Sequence, residues 1–192
     1  MFVASCISLI ATALVFSIRG DILPQWEKTF NLNPEQVGWI SGIALWGFLI
    51  SIFIGGQLLD FIGVKAILVL AFLGQVAGTL LTIYATGPMS LIIATLIIGI
   101  GNGFVEAGVN PLVTTIYPEE KTAKLNALHA WWPGGLVIGS LLAWLFSTQQ
   151  ATWQAKMWII LIPVVIYGLM LFTIKFPATE RVQSGVTTGQ MY

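Results

Sequence analysis

Six runs of apolar residues, each long enough to cross a bilayer, set the limits on this chain: roughly 2–23, 36–59, 64–85, 89–115, 124–147 and 155–175. A helix needs about 20 apolar residues to cover a hydrocarbon core ~30 Å thick, and every run supplies them. Hydrophobic residues make up 57% of the 192, and only 8% are Asp, Glu, Lys or Arg; a soluble domain carries about 25% charged residues. The breaks hold turn chemistry: Asn31 to Pro34, Asp60 to Gly63, Thr86-Gly87-Pro88, Pro118 to Lys121 and Ser147 to Gln150. No alternation of period two recurs at barrel length, which argues against a β-barrel. The expectation is an all-α membrane protein. Residues 1–176 form a bundle of six transmembrane helices, and 177–192 turn polar as a cytoplasmic tail or the start of an interdomain linker.

Charge narrows the function. Eight acids balance eight bases, so no net field points to nucleic acid. The single Cys6 excludes an internal disulfide, and no cofactor or metal cluster is implied. The start, Met1-Phe2-Val3-Ala4-Ser5, lacks the basic region of a cleaved signal peptide. Six crossings return both termini to one side. Lys65, Lys121, Lys124, Lys175 and Arg181 fall there, against Arg19, Lys28 and Lys156 opposite. The positive-inside rule then places both termini in the cytoplasm, with the bundle in the plasma (inner) membrane.

A carboxylate inside such a run is expensive and marks a site by default. Glu106 is one. Asn102, Glu106 and Asn110 stand at i, i+4 and i+8, on one helix face, and Gly99, Gly103 and Ala107 form a small-residue strip beside them that permits close helix approach. Glu106 is read either as a group that cycles its proton or as a protonated acid hydrogen-bonded across helices. Asn126, His129 and Pro133 share a face of the fifth run, beside Trp132. His129 suits a hydroxyl-rich ligand or a proton relay; an interhelical hydrogen bond is the other reading. Pro133-Gly134-Gly135 is expected to loosen that helix. Arg19 and Asp21, by residue counting, lie at a solvated helix end. Gly56, Asp60, Gly63 and Lys65 make a tight turn whose charges could latch one conformation.

A faint repeat relates the first three runs to the last three. Gly55-Gly56-Gln57-Leu58-Leu59-Asp60-Phe61 is echoed by Ile138-Gly139-Ser140-Leu141-Leu142-Ala143-Trp144, and an acid precedes a proline in both Asp21/Pro24 and Glu106/Pro111. Three-plus-three inverted repeats build transporter halves.

These residues resemble the major facilitator superfamily. Gly56-Gln57-Leu58-Leu59-Asp60-Phe61-Ile62-Gly63-Val64-Lys65 is similar to its loop signature between helices 2 and 3, with Phe61 in place of the usual arginine. Gly20-Asp21-Ile22-Leu23-Pro24-Gln25 and Glu106-Ala107-Gly108-Val109-Asn110-Pro111, followed by Pro118-Glu119 and Leu125-Asn126, resemble the fucose permease branch of sugar–proton symporters. The resemblance implies one half of a major facilitator fold. It also implies proton-coupling carboxylates at Glu106 and Asp21, and a sugar pocket shaped by Asn102, Asn110, Asn126, His129 and Trp132. It covers only the first half of a twelve-helix architecture, so the expected partner is a C-terminal six-helix half or a second copy of the chain. The competing expectations are an exporter of another small molecule and a non-transporting membrane sensor or scaffold. An intramembrane enzyme ranks last, since no His-Glu-x-x-His, Gly-x-Ser-x-Gly or paired-aspartate motif occurs.

Overall fold

A computed structural model of the chain describes residues 1–177, and every regular element among them is a helix. The order is α1 Phe2–Phe30, α2 Pro34–Ile83, α3 Pro88–Ile116, α4 Lys121–His129, α5 Trp131–Thr148 and α6 Trp153–Thr173. Five stretches are long and apolar enough to cross a membrane: Phe2–Phe30, Pro34–Ile83, Pro88–Ile116, Lys121–Thr148 and Trp153–Thr173. The expected polar tail at 178–192 lies outside the described residues.

Local chemistry sets the ends. Asn31, at φ 48 and ψ 51, closes α1 in the left-handed region, which asparagine tolerates better than most residues. Asn33 and Gln36 then form a reciprocal capping box at 2.8 and 3.0 Å, with Pro34 pre-set for the first helical turn. Pro24 does not end α1, which runs on to Phe30. Asp21 therefore lies within α1 and not at its last turn, level with Ser147 in the last turn of α5 and Lys156 in the first turn of α6.

The 50-residue α2 would be ~75 Å long if straight, more than twice the hydrocarbon core. It is folded instead. Gly63 breaks it at φ 82, ψ 160, a region open essentially to glycine alone. The two limbs flank α3 at the same depth: a β-carbon on Gly47 would lie 2.7 Å from the Leu96 carbonyl oxygen, and one on Gly78 2.5 Å from the Ile98 nitrogen. Residues 44 to 55 pass Gly99 to Ala107 in the same direction. Residues 68 to 78 pass Gly108 to Ile98 in the opposite one. Helix α5 runs parallel to α1, with Gly135 against Ile10 and Ala13, and Gly139 against Leu14 and Ser17. Helix α6 returns across α1 and the second limb, where Gly168 meets Phe72.

Lipid offers helices no hydrophobic incentive to associate, so close backbone contact and interhelical hydrogen bonds must hold the bundle. The glycine seams supply the first. Phe53, Leu141, Trp144, Leu169 and Phe172 stay exposed on the outside, as a lipid-facing surface requires. Between α4 and α5 the single residue Ala130 keeps helical angles, φ −61 and ψ −23, so the two run on as one apolar stretch. Pro133 itself occupies the first turn of α5, where a missing N–H costs little. The charge count changes too. Arg19 and Lys156, assigned by counting to outer connections, are both buried within helices.

Candidate functional site

Glu106 and Asn110 meet on α3, as their spacing predicts. Asn110 Nδ2 donates to Glu106 Oε2 at 3.2 Å, and both residues are half-buried. Pro111 follows at once, and its ring leaves the carbonyl four residues back, that of Ala107, without its helical donor. Asn110 Oδ1 is buried with no partner. Glu106 makes no ion pair among the described residues, and it interacts electrostatically with His129 on α4. His129 and Asn126 are exposed. Trp132, half-buried in the first turn of α5, packs its ring 5.2 Å from that of Phe16 on α1. Phe16 also meets Phe48 on α2, at 6.2 Å. The structure thus links Glu106 with Asn110 and His129, and Trp132 with Phe16.

Asn102 does not join them. Four residues turn a helix about 40° beyond one revolution, so Asn102 and Asn110 diverge by about 80°. Asn102 points inward and accepts a hydrogen bond from Gln75 Nε2 at 2.9 Å. Gln75 Nε2 also donates to Thr12 Oγ1 at 3.1 Å, and Tyr167 donates to Gln75 Oε1 at 2.7 Å. This closed network links α1, α2, α3 and α6 in the interior. Sequence reasoning missed Gln75 and Tyr167; a lone amide inside the run 64–85 was the available signal.

Asp21 and Glu106 have no partner in common. Lys156 Nζ on α6 donates to Asp21 Oδ2 at 2.5 Å and to Ser147 Oγ at 2.6 Å. The lysine side chain is 0% exposed and that of the aspartate 30%, so the pair clamps α1 to α6 next to the end of α5. Of the turn residues, Gly63 carries the bend, Asp60 is half-buried just before it, and Gly56 and Lys65 are exposed on either side. Arg19 was also missed as an interior charge. It is buried in α1 and donates to the Ile40 carbonyl at 2.8 Å.

Several known proteins are similar to this chain. NiaP of Bacillus subtilis (strain 168), whose name refers to niacin and nicotinamide transport, is 26% identical over 177 residues, covering 90% of this chain and 42% of its own. A D-galactonate transporter of Escherichia coli O6:H1 is 24% identical, with 86% and 38% covered. A D-xylose–proton symporter structure aligns with a TM-score of 0.82 at 14% identity, over 99% of this chain and 50% of that one. The Escherichia coli fucose:proton symporter FucP aligns at 0.73 and 21%, over 93% and 50%. The chain therefore spans about half the length, or less, of the proteins it matches. The family model described as Major Facilitator Superfamily matches residues 1–190. With its stacked apolar helices and glycine seams, this chain belongs to the Major Facilitator Superfamily, whose members are membrane transporters and not enzymes.

Proposed function

We propose that the chain is the N-terminal half of a secondary active transporter that moves a monosaccharide together with protons by alternating access. Glu106 carries the reading. It is an acid at mid-helix, half-buried, with one amide as its hydrogen-bond partner and no cation paired to it. Such a group must exchange its proton or bind something that compensates its charge. Asn110, Asn126, His129 and Trp132 share its face and shape the sugar pocket, while Asn102 supports them from inside. Asp21 is the second coupling carboxylate, subordinate because Lys156 already holds one of its oxygens. The names of the solved neighbours, a xylose and a fucose symporter, favour a sugar over the alternatives. Coupling needs proton and sugar to favour the same transition, since a ligand bound equally to both states shifts nothing.

The two limbs of α2 make six crossings out of five apolar stretches. The contacts support an inverted three-plus-three repeat: Gly139 rests on Leu14 and Ser17 as Gly55 rests on Phe104 and Ala107. That equivalence is one residue off the echo of Gly56 in Gly139, and it makes Phe16 the counterpart of Glu106. The opposite wall of the cavity comes from a second six-helix half or a second copy. With Arg19 and Lys156 inside helices, Lys28 alone remains of the outer bases, which favours cytoplasmic termini in the plasma (inner) membrane. Gly56, Asp60, Gly63 and Lys65 would then form the cytoplasmic latch.

The test is sugar uptake by the natural gene product in sealed liposomes under an imposed proton gradient. Glu106→Gln is expected to abolish uphill accumulation while retaining sugar exchange at equilibrium. Unchanged pH-driven accumulation in this variant would remove the basis for the reading.

A further inference from the structure

The sugar–proton reading gives no task to Arg19. It is 9% exposed inside α1. One terminal nitrogen is satisfied by the Ile40 carbonyl, and the guanidinium carbon lies 6.0 Å from the centre of the Trp26 ring. No carboxylate pairs with it among the described residues, and Asp21, two positions on, is held by Lys156. Arg19 Nε has no acceptor, and neither does the buried Trp26 Nε1. Both residues line one cleft of about 190 Å³ between α1 and the first limb of α2, together with Phe16, Leu23, Ser41 and Leu45.

A guanidinium does not shed its proton, and a buried charge without a counter-charge is costly. Here two residues that line one cleft each keep a buried N–H donor without an acceptor, and no unsatisfied buried acceptor lines it. We propose that this cleft binds the carboxylate of the transported solute, with the Arg19 guanidinium and Trp26 indole as donors. Planar guanidinium matches carboxylate geometry better than it matches a neutral hydroxyl. Phe16 connects the cleft to the polar face, because it walls the first and packs on Trp132 of the second. A solute anchored at Arg19 lays its body over Phe16 and Trp132. The inference rests on the transporter reading and narrows its solute class to sugars that carry a carboxylate.

The natural gene product in liposomes, given D-gluconate or D-glucose, separates the two. Gluconate should be carried in preference, and Arg19→Gln should lower its uptake about ten- to a hundredfold, the usual worth of a charged hydrogen bond. Gluconate should raise the melting temperature of the wild type and not that of Arg19→Gln. Arg19→Lys keeps the charge and loses the fork, so its KM for gluconate should rise at an unchanged melting temperature; this variant decides the matter if the glutamine form does not fold. Glucose carried in preference, with Arg19→Gln and Arg19→Lys silent, overturns the anion site and leaves the transporter standing. Gluconate uptake insensitive to both variants removes Arg19 from recognition. Uptake of neither compound overturns both proposals.

Discussion

The clamp between Asp21 and Lys156 makes a prediction with an asymmetric outcome. Lys156 is 0% exposed and Asp21 30%, so the two single deletions leave different remainders. Asp21→Asn strands an ammonium with no water, a hydroxyl at 2.6 Å and a neutral amide. Stranding a buried charge costs about 3–5 kcal/mol. Lys156→Met strands a carboxylate that can still recruit water, and about 1–2 kcal/mol is the expected loss. For a chain of this size 1 kcal/mol moves the melting temperature by about 2–4 °C. Asp21→Asn should therefore lower it by roughly 6–20 °C and Lys156→Met by roughly 2–8 °C. The double variant removes both charges and should melt close to the wild type, since apolar replacement of a buried pair is often neutral or stabilising. Tryptophan fluorescence melts of all four proteins in one detergent give the double-mutant cycle. Equal losses in the two singles, or a double variant that adds them, would refute the reasoning. The same double variant tests Asp21 as a proton carrier. If it folds and still accumulates solute with pH, coupling belongs to Glu106 alone.

Three further outcomes follow from the packing. Gly63→Ala forces a β-carbon into φ 82, ψ 160 and should cost about 1–3 kcal/mol, seen as a lower melting temperature. Gly101→Ala would set its β-carbon 2.6 Å from the Gln75 nitrogen and should cost about 1–3 kcal/mol, whereas Gly56→Ala, with nothing within 4 Å, should be neutral or stabilising by about 0.5–1 kcal/mol. Gln75→Leu leaves Tyr167 and Asn102 without their shared partner, at about 1–3 kcal/mol for each buried group left unpaired; its melt should fall further than that of Thr12→Val, which removes one acceptor.

What the sequence revealed is what short-range chemistry controls. The Asp60-to-Gly63 turn was legible because only glycine accepts that backbone, and Glu106 with Asn110 because four residues make one helical turn. The end of α1 was not. The first apolar run stops at residue 23, whereas the helix continues through Pro24 and the polar residues after it to Phe30. Lys156 stands 135 residues from Asp21 and Ile40 stands 21 from Arg19, and no periodicity reports contacts at such separations. Asn102 turned inward for a similar reason: its choice of face depends on Gln75, which another helix delivers.

The buried polar groups differ in how far they are satisfied. Thr12, Gln75, Asn102 and Tyr167 bond one another across four helices, and Lys156 holds Asp21 and Ser147 together. Such closed networks fix helices against each other, because sliding any member would orphan a buried partner. Glu106, Asn110, Arg19 and Trp26 each keep a vacancy: an acid without a cation, an amide oxygen without a donor, and two donors without acceptors. Thr79 on α2 and Thr95 on α3 also bury a hydroxyl without a partner, so vacancies occur in the scaffold as well, and the closed networks and glycine seams are what hold the helices in place. Alternating access by rocking requires a half that moves as one body while its ligand contacts are made and broken at one side. In the proposed transporter, glycine seams and closed networks give the rigidity, and Glu106 and Arg19 the contacts a solute would make and break.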